Sequence, residues 1–456
     1  MKGKITAILL LLAILLTFGS CKGAEVAEEE TTAAKETTAA PEETAAPEKT
    51  ETETNHDLHE LLIDHELWRS GEIGELYRYA DDTLSSLLTR EAFTRIFTDI
   101  IKIGGLGNGC VDIDCQQENG YDIYSEVHIF ENIRVKLQVT MKDLQICGIT
   151  HDIRFNDTFE IENGDGTVSR YFLLKNDGYE LNAVYPYKHD GEIHPAALLI
   201  PGSGPSDYNE TVGMLAPLAD IANALAARGI SSLRFEKRTN RYPDSIGATA
   251  GMEEEYLSDC RAALTWLHDQ PQTGDVYLLG HSLGGQIATV LATESEVNVT
   301  ENTRVSGMIL WNSTPRHLAD VLQDQLTAAD PENAEAYRQY TAAAKAAKES
   351  AANGSDYYGV SDHYWASYNS LDTIRNISGV STIPTLIVNS TADAQIFEAD
   401  LAAWSNAFAN SRSVTLKTYD DMSHFGYKID TADPASLYSD PPFPEELIAD
   451  FSDLCK

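Results

Sequence analysis

The stretch that most constrains this chain is Gly280-His281-Ser282-Leu283-Gly284-Gly285. It follows an apolar run, Val276-Tyr277-Leu278-Leu279, that reads as a buried strand. It precedes Gln286-Ile287-Ala288-Thr289-Val290-Leu291-Ala292, which reads as a helix. In a Gly-x-Ser-x-Gly turn between strand and helix, the positions two before and two after the Ser must lack bulky side chains, and both are Gly here. The Ser is then held in a strained turn that lifts its hydroxyl above the sheet. The fold that supplies such a turn is a mostly parallel, doubly wound α/β sheet, with ligand sites at the carboxyl ends of its strands.

A lifted hydroxyl is inert without a base and a group to orient that base. With this turn the expected chain order is Ser, then Asp or Glu, then His. The run Ile383–Asn389 reads as a strand and leads into Ser390-Thr391-Ala392-Asp393, which places Asp393 just past the strand's carboxyl end. The run Val414–Tyr419 leads in the same way to Met422-Ser423-His424. His317 and His363 fall in a polar, helix-rich insertion, and Asp420 and Asp421 are too near His424 in the chain to sit under its ring. The earlier strand Ser306–Trp311 could carry the acid at its end, but Asn312 stands there, so Asp393 is the better candidate. An oxyanion at the Ser also needs N–H donors already aimed at it. One is the amide of Leu283. The other comes from Pro201-Gly202-Ser203-Gly204-Pro205, after the strand Ala196–Ile200: the amide of Ser203, with Gly204 as the alternative.

With these pieces in place, the chain resembles the α/β-hydrolase superfamily, and within it exported bacterial hydrolases of the esterase and dienelactone-hydrolase-like kind. The likeness covers roughly residues 165–456. It is carried by Pro201–Asp207, Asn209-Glu210-Thr211, Leu233-Arg234-Phe235-Glu236-Lys237-Arg238, the Ser282 turn, Asp393-Ala394-Gln395 and Ser423-His424-Phe425. The resemblance implies that the loop around Ser206–Glu210 borders the site. Asp207 and Glu210 then either face substrate or cap the following helix, and Gly204 and His281 are further candidates for substrate contact. It gives Arg238 a structural role. Pro201 departs from the His that esterases often carry before the first Gly of this loop.

A chain of 456 residues has room for a leader, a linker and two domains. A net charge of −38 argues against nucleic-acid binding and against attraction to acidic membranes. Lys2, Lys4, the apolar Ile5–Phe18 and then Gly19-Ser20-Cys21 mark residues 1–21 as a lipoprotein signal with lipidation at Cys21. Residues 22–55 are acidic and rich in Ala, Thr and Pro, and read as a disordered linker. Together they predict export and a lipid anchor on the outer side of the cell membrane. Beyond Cys21 five cysteines remain. Cys110 and Cys115 flank a short polar loop and could pair in an oxidising compartment, and Cys260 reads as a buried apolar residue.

Residues 56–158 form a small α+β domain: helical periodicity over Leu58–Ile103, broken at Gly71 and Gly74, then strands of period two around 111–113, 121–129, 133–139 and 144–149. That pattern is similar to the cone-shaped domains of the nuclear-transport-factor type, which dock ligands in some proteins and act as spacers in others. His59-Glu60 and His65-Glu66 each begin a helical zinc motif, but the second His is replaced by Ile63 and Arg69, so no metal site is expected. Residues 159–456 form the catalytic domain, with a helical cap at 314–379. Tyr357, Tyr358, Tyr364 and Tyr368 in that cap either line a pocket or pack it. The resulting expectation is a serine hydrolase that cleaves small carboxylic esters without a cofactor. The alternatives are a peptidase or acyltransferase on the same triad, or a non-catalytic binding lipoprotein. Oligomeric state is not legible.

Overall fold

The computed structural model describes residues 54–213, 215–246, 250–297, 304–348, 361–379, 382–429 and 443–456. The expectations for the 1–21 leader, Cys21, most of the linker, Tyr357 and Tyr358 lie outside the described residues.

Five helical segments between Asn55 and Gly104 precede an antiparallel sheet of β1 (Gly107–Glu118), β2 (Tyr121–Phe130), β3 (Ile133–Lys142) and β4 (Gln145–Phe155). Side chains of Thr54, Asp64, Asp81 and Thr89 accept the first free amides of four of these segments, which explains why each starts where it does. Gly71 ends one helix at φ +79°, as a left-handed cap requires. Gly74 breaks nothing. It lies within a 3-10 turn, where a Cβ would strike Thr94. The inward positions of β2 and β3 alternate as sheet geometry dictates, and Trp68, Phe93 and Phe97 from the helices close over them.

Cys110 and Cys115 do not pair. Both lie on β1, facing His128 and Tyr124 across the ladder, and both are free thiols. Five residues of extended chain separate them by about 16 Å, far beyond the Cα spacing a disulfide bridges.

A second sheet of nine strands runs in the order β13-β12-β11-β10-β8-β9-β7-β6-β5. Its strands are β5 (Phe159–Glu162), β6 (Thr167–Asn176), β7 (Tyr179–Lys188), β8 (His194–Ile200), β9 (Ser231–Phe235), β10 (Thr273–His281), β11 (Gly307–Trp311), β12 (Thr385–Ser390) and β13 (Val414–Tyr419). Strands β8 to β13 are mutually parallel, and β5 to β7 add an antiparallel edge. The central strands carry unbroken apolar runs, such as Ala196–Ile200, Val276–Leu279 and Met308–Trp311, because both faces are covered. Leu198, Leu278, Met308 and Leu310 enter one buried cluster, and Leu199, Leu279, Ile309 and Trp311 enter the cluster on the opposite face. Each such side chain contributes about 1.5–3 kcal/mol on burial. The helices Leu283–Val297 and Ser258–His268 cover the first face, and Pro217–Ala227 and Glu445–Leu454 the second.

The two sheets meet along a mixed seam. Val184 and Tyr208 join the core of the first unit, and the amide nitrogen of Phe155 donates to Asn182 at 3.0 Å. Between β11 and β12 the chain leaves the sheet for the helices Leu318–Ala329, Ala334–Ala346, Asp362–Tyr368 and Thr373–Gly379.

Candidate active site

Ser282, Asp393, His424 and Ser203 come from loops that follow β10, β12, β13 and β8, all at the carboxyl end of the parallel strands. Ser282 has φ +51°, a conformation that costs a non-glycine residue about 1–3 kcal/mol. The turn tolerates nothing larger than glycine at its flanks. A Cβ on Gly280 would fall inside 3 Å of Gly284 backbone, and one on Gly284 inside 3 Å of the Ile200 and Pro201 carbonyls. The amide of Ser282 donates to the Trp311 carbonyl at 2.9 Å, which ties the turn to the neighbouring strand.

His424 Nδ1 lies 2.7 Å from Asp393 Oδ2, and both side chains are buried. The other carboxylate oxygen of Asp393 accepts the amides of Gln395 at 2.6 Å and Ile396 at 2.9 Å, so the acid is oriented by its own loop. Ser282, Leu283, Ser203 and His424 line one cleft. Its roof is Leu318, Val321, Leu322 and Gln325 from the first cap helix, and Ile396 closes a further wall. The cleft encloses about 30 Å³, room for two or three water molecules at about 10–15 Å³ each.

Below the cleft lies a connected set of buried polar groups. Glu210 Oε1 accepts the Gly202 amide at 2.6 Å and contacts His281 Nδ1 at 2.8 Å. His281 Nε2 donates to the carbonyl of His424 at 2.9 Å. A carbonyl cannot donate, so Nε2 of His281 carries a proton, and Nδ1 faces the Glu210 carboxylate. Burial works against a charge on this ring, but the Glu210 carboxylate and the His424 carbonyl outweigh it and hold the ring's pKa above its ordinary value. Asn312 Nδ2 reaches the same His424 carbonyl at 2.7 Å and that of Ser423 at 3.1 Å. Of the eight non-glycine residues with positive φ among the described residues, five sit in turns or in β1 of the antiparallel strands. The remaining three, Glu210, Ser282 and Asn312, converge here.

Several sequence expectations move. His281 does not face substrate: its ring is buried between Glu210 and the His424 backbone, against Trp311. Asp207 neither faces the cleft nor caps the following helix. Its carboxylate closes its own turn by accepting the amides of Asn209 and Thr211 and the Thr211 hydroxyl. The next helix begins at Pro217 without a side-chain cap. Gly204 sits at φ +81° with its carbonyl turned to Lys237. Tyr364 and Tyr368 are buried within the cap, where the Tyr368 hydroxyl donates to Gln286 at 2.6 Å, so both pack rather than line the cleft. Arg238 holds Asp259 through two nitrogens, at 2.6 and 2.7 Å. Glu210 and Asn312 were named in the sequence without these roles. A non-glycine residue in left-handed backbone is the feature that marks them, and sequence alone does not display it.

A sequence match overlaps most of the segments that form this site. The family described as "Serine aminopeptidase, S33" matches residues 208–426. Esterase EstD of Thermotoga maritima is 28% identical over 233 residues, which span 50% of this chain and 54%, about half, of that relative's length. Among solved structures, Est1E from Butyrivibrio proteoclasticus aligns over 62% of this chain and 98% of its own, with 16% identity and a TM-score of 0.41. A dienelactone hydrolase from Anabaena variabilis aligns over 66% and 97%, with 14% identity and a TM-score of 0.39. Strand order, the turn at Ser282 and the two sequence matches agree on an α/β-hydrolase fold for this chain.

Proposed function

We propose that the chain is a serine esterase in which Ser282 is the nucleophile, His424 the general base and Asp393 the group that orients it. The observation that carries the reading is the 2.7 Å contact between His424 and Asp393 in the same cleft as a Ser held at φ +51°. Ser282 Oγ attacks the ester carbonyl as His424 takes its proton. The tetrahedral oxygen is held by the amides of Leu283, at the start of a helix, and Ser203. His424 then protonates the departing alcohol. Water, deprotonated by the same ring, releases the acyl group from Ser282.

The S33 match favours a peptidase as the second reading. An aminopeptidase must pair the substrate's ammonium with an anion. Among the described residues lining the cleft there is no Asp or Glu, whereas the roof residues Leu318, Val321 and Leu322 suit an apolar ester. The full-length chain is therefore expected to hydrolyse short-chain aryl esters well above aminoacyl arylamides, with rates falling as the acyl chain outgrows the small cleft. The reverse preference contradicts the ester reading. We further propose that Cys21 is lipidated and that residues 22–55 tether the enzyme to the outer face of the membrane. Metabolic labelling with a fatty acid, lost in Cys21→Ser, tests this; equal labelling of both rejects it.

A further inference from the structure

We propose that Lys237, with Tyr256 and Glu255, is a positioning residue that aims the Ser203 amide at the oxyanion. The inference rests on the serine hydrolase reading above. Lys237 is 1% exposed, and its ammonium spends all three protons: on the Gly202 carbonyl at 2.8 Å, the Gly204 carbonyl at 2.6 Å and Glu255 Oε1 at 2.6 Å. The buried Tyr256 hydroxyl donates a second bond to the Gly202 carbonyl, and its ring lies 3.8 Å from the ammonium.

The consequence follows from peptide geometry. Among the described residues no peptide is cis, and a trans peptide points its C=O and N–H in opposite directions. The Gly202–Ser203 unit has its C=O drawn inward by two buried donors. Its N–H, which is that of Ser203, is thereby turned to the opposite side, where Ser203 and Ser282 line the cleft. The other face of Gly202 is fixed as well. Its own N–H is taken by Glu210, and a Cβ there would stand 3.2 Å from that of Ser282. The Gly204 carbonyl, also held by Lys237, leads into Pro205, which has no N–H to offer. Ser203 is thus the loop amide whose direction the buried cluster determines, and this separates it from the Gly204 alternative.

A lysine in this place is costly, because burial pulls its pKa down, and Glu255 first and then Glu210 and Cys260 oppose that. Removing one charge alone would strand the other, so the test uses a charge-balanced pair, Lys237→Met with Glu255→Gln, and separately Tyr256→Phe, in the full-length chain. Folding is checked by circular dichroism. Three quantities are then read: kcat and KM on a short-chain aryl ester, and the inhibition constant of an alkyl boronic acid, which becomes tetrahedral on the Ser. An amide that is no longer aimed costs transition-state binding only. The expected result is a kcat about 10–100-fold lower in the double variant, with KM within about threefold. Boronate affinity should fall in parallel, and Tyr256→Phe should follow with a smaller loss. A folded double variant with unchanged kcat and boronate affinity overturns the proposal, and so does a loss expressed in KM alone. A wild-type chain that neither turns over ester nor binds boronate would sink the serine hydrolase reading itself, and the positioning role with it.

Discussion

Among the described residues, a cluster of buried histidine and carboxylate occurs in each of the two units, and only one of the two looks like a place where chemistry happens. In the amino-terminal unit Glu126 lies 3.1 Å from His59 and 3.6 Å from His128, and His128 meets His65 at 2.8 Å. In the hydrolase sheet Asp393 holds His424 and Glu210 holds His281. The first set is packed among rings: Tyr124 stacks on His59 at 4.0 Å, and Trp68 lies 4.7 Å from His128. Glu126 Oε1 and His59 Nδ1 are buried there without hydrogen-bond partners. The second set adjoins a strained Ser, helix-end amides and open space. A buried His–carboxylate contact is thus not a site by itself. The neighbouring hydroxyl, the free N–H groups and the room for a substrate make it one.

This contrast is breakable, and the largest effect should come from the nucleophile. Ser282→Ala is expected to lower ester kcat about 10⁴–10⁶-fold, and Asp393→Asn about 10⁴-fold, with fold and melting behaviour retained. Retained turnover in Ser282→Ala would falsify the assignment. A smaller loss, roughly tenfold, is expected for Glu210→Gln, together with a change in pH dependence. The pKa of His281 is raised, so its second proton persists above the ordinary range and is lost as pH climbs through the raised value. One of its two hydrogen bonds then fails. The wild-type kcat profile should fall on the alkaline side, and Glu210→Gln should move that fall to lower pH. An alkaline limb that does not move would remove His281 from the account.

The amino-terminal cluster should respond in the opposite way. Glu126→Gln is expected to leave kcat and KM unchanged and to lower stability by about 1–3 kcal/mol in a urea melt, because a buried charge-assisted contact is lost. Activity that tracks Glu126 would erase the contrast. The smallest effect concerns acid stability. Burial, with His128 and Arg69 nearby, lowers the His65 pKa from 6.5 to about 4. The unfolded chain then binds a proton that the folded unit refuses. Stability from this group is complete above about 6.5 and is lost as pH falls towards 4. His65→Phe should flatten that acid slope; an unchanged slope would show that other groups set it.

The nine-stranded sheet was largely legible because its signals are local. Doubly apolar strands, a glycine-flanked turn and residues at strand ends are visible one segment at a time. Ser282, Asp393 and His424 each follow a run that no helix or loop would carry. Glu210 and His281 were visible as residues but not in their roles, since the bond joining them spans 71 positions and depends on a positive φ at Glu210. Asp207 misled for a related reason: an acid beside the site reads as substrate-facing until its own turn is seen to consume it. Whether Cys110 and Cys115 pair was open in the sequence, and the structure answers it because the stretch between them is a strand rather than a loop. The contact of Trp68 with His128 is tertiary, and no periodicity announces it.

The most direct measurement is peptide mapping by mass spectrometry after the folded, full-length chain reacts with a fluorophosphonate. The account predicts a single adduct on the peptide that contains Ser282, absent in Ser282→Ala and formed more slowly in Asp393→Asn. An adduct on a different residue, or a folded chain that takes none, would contradict it.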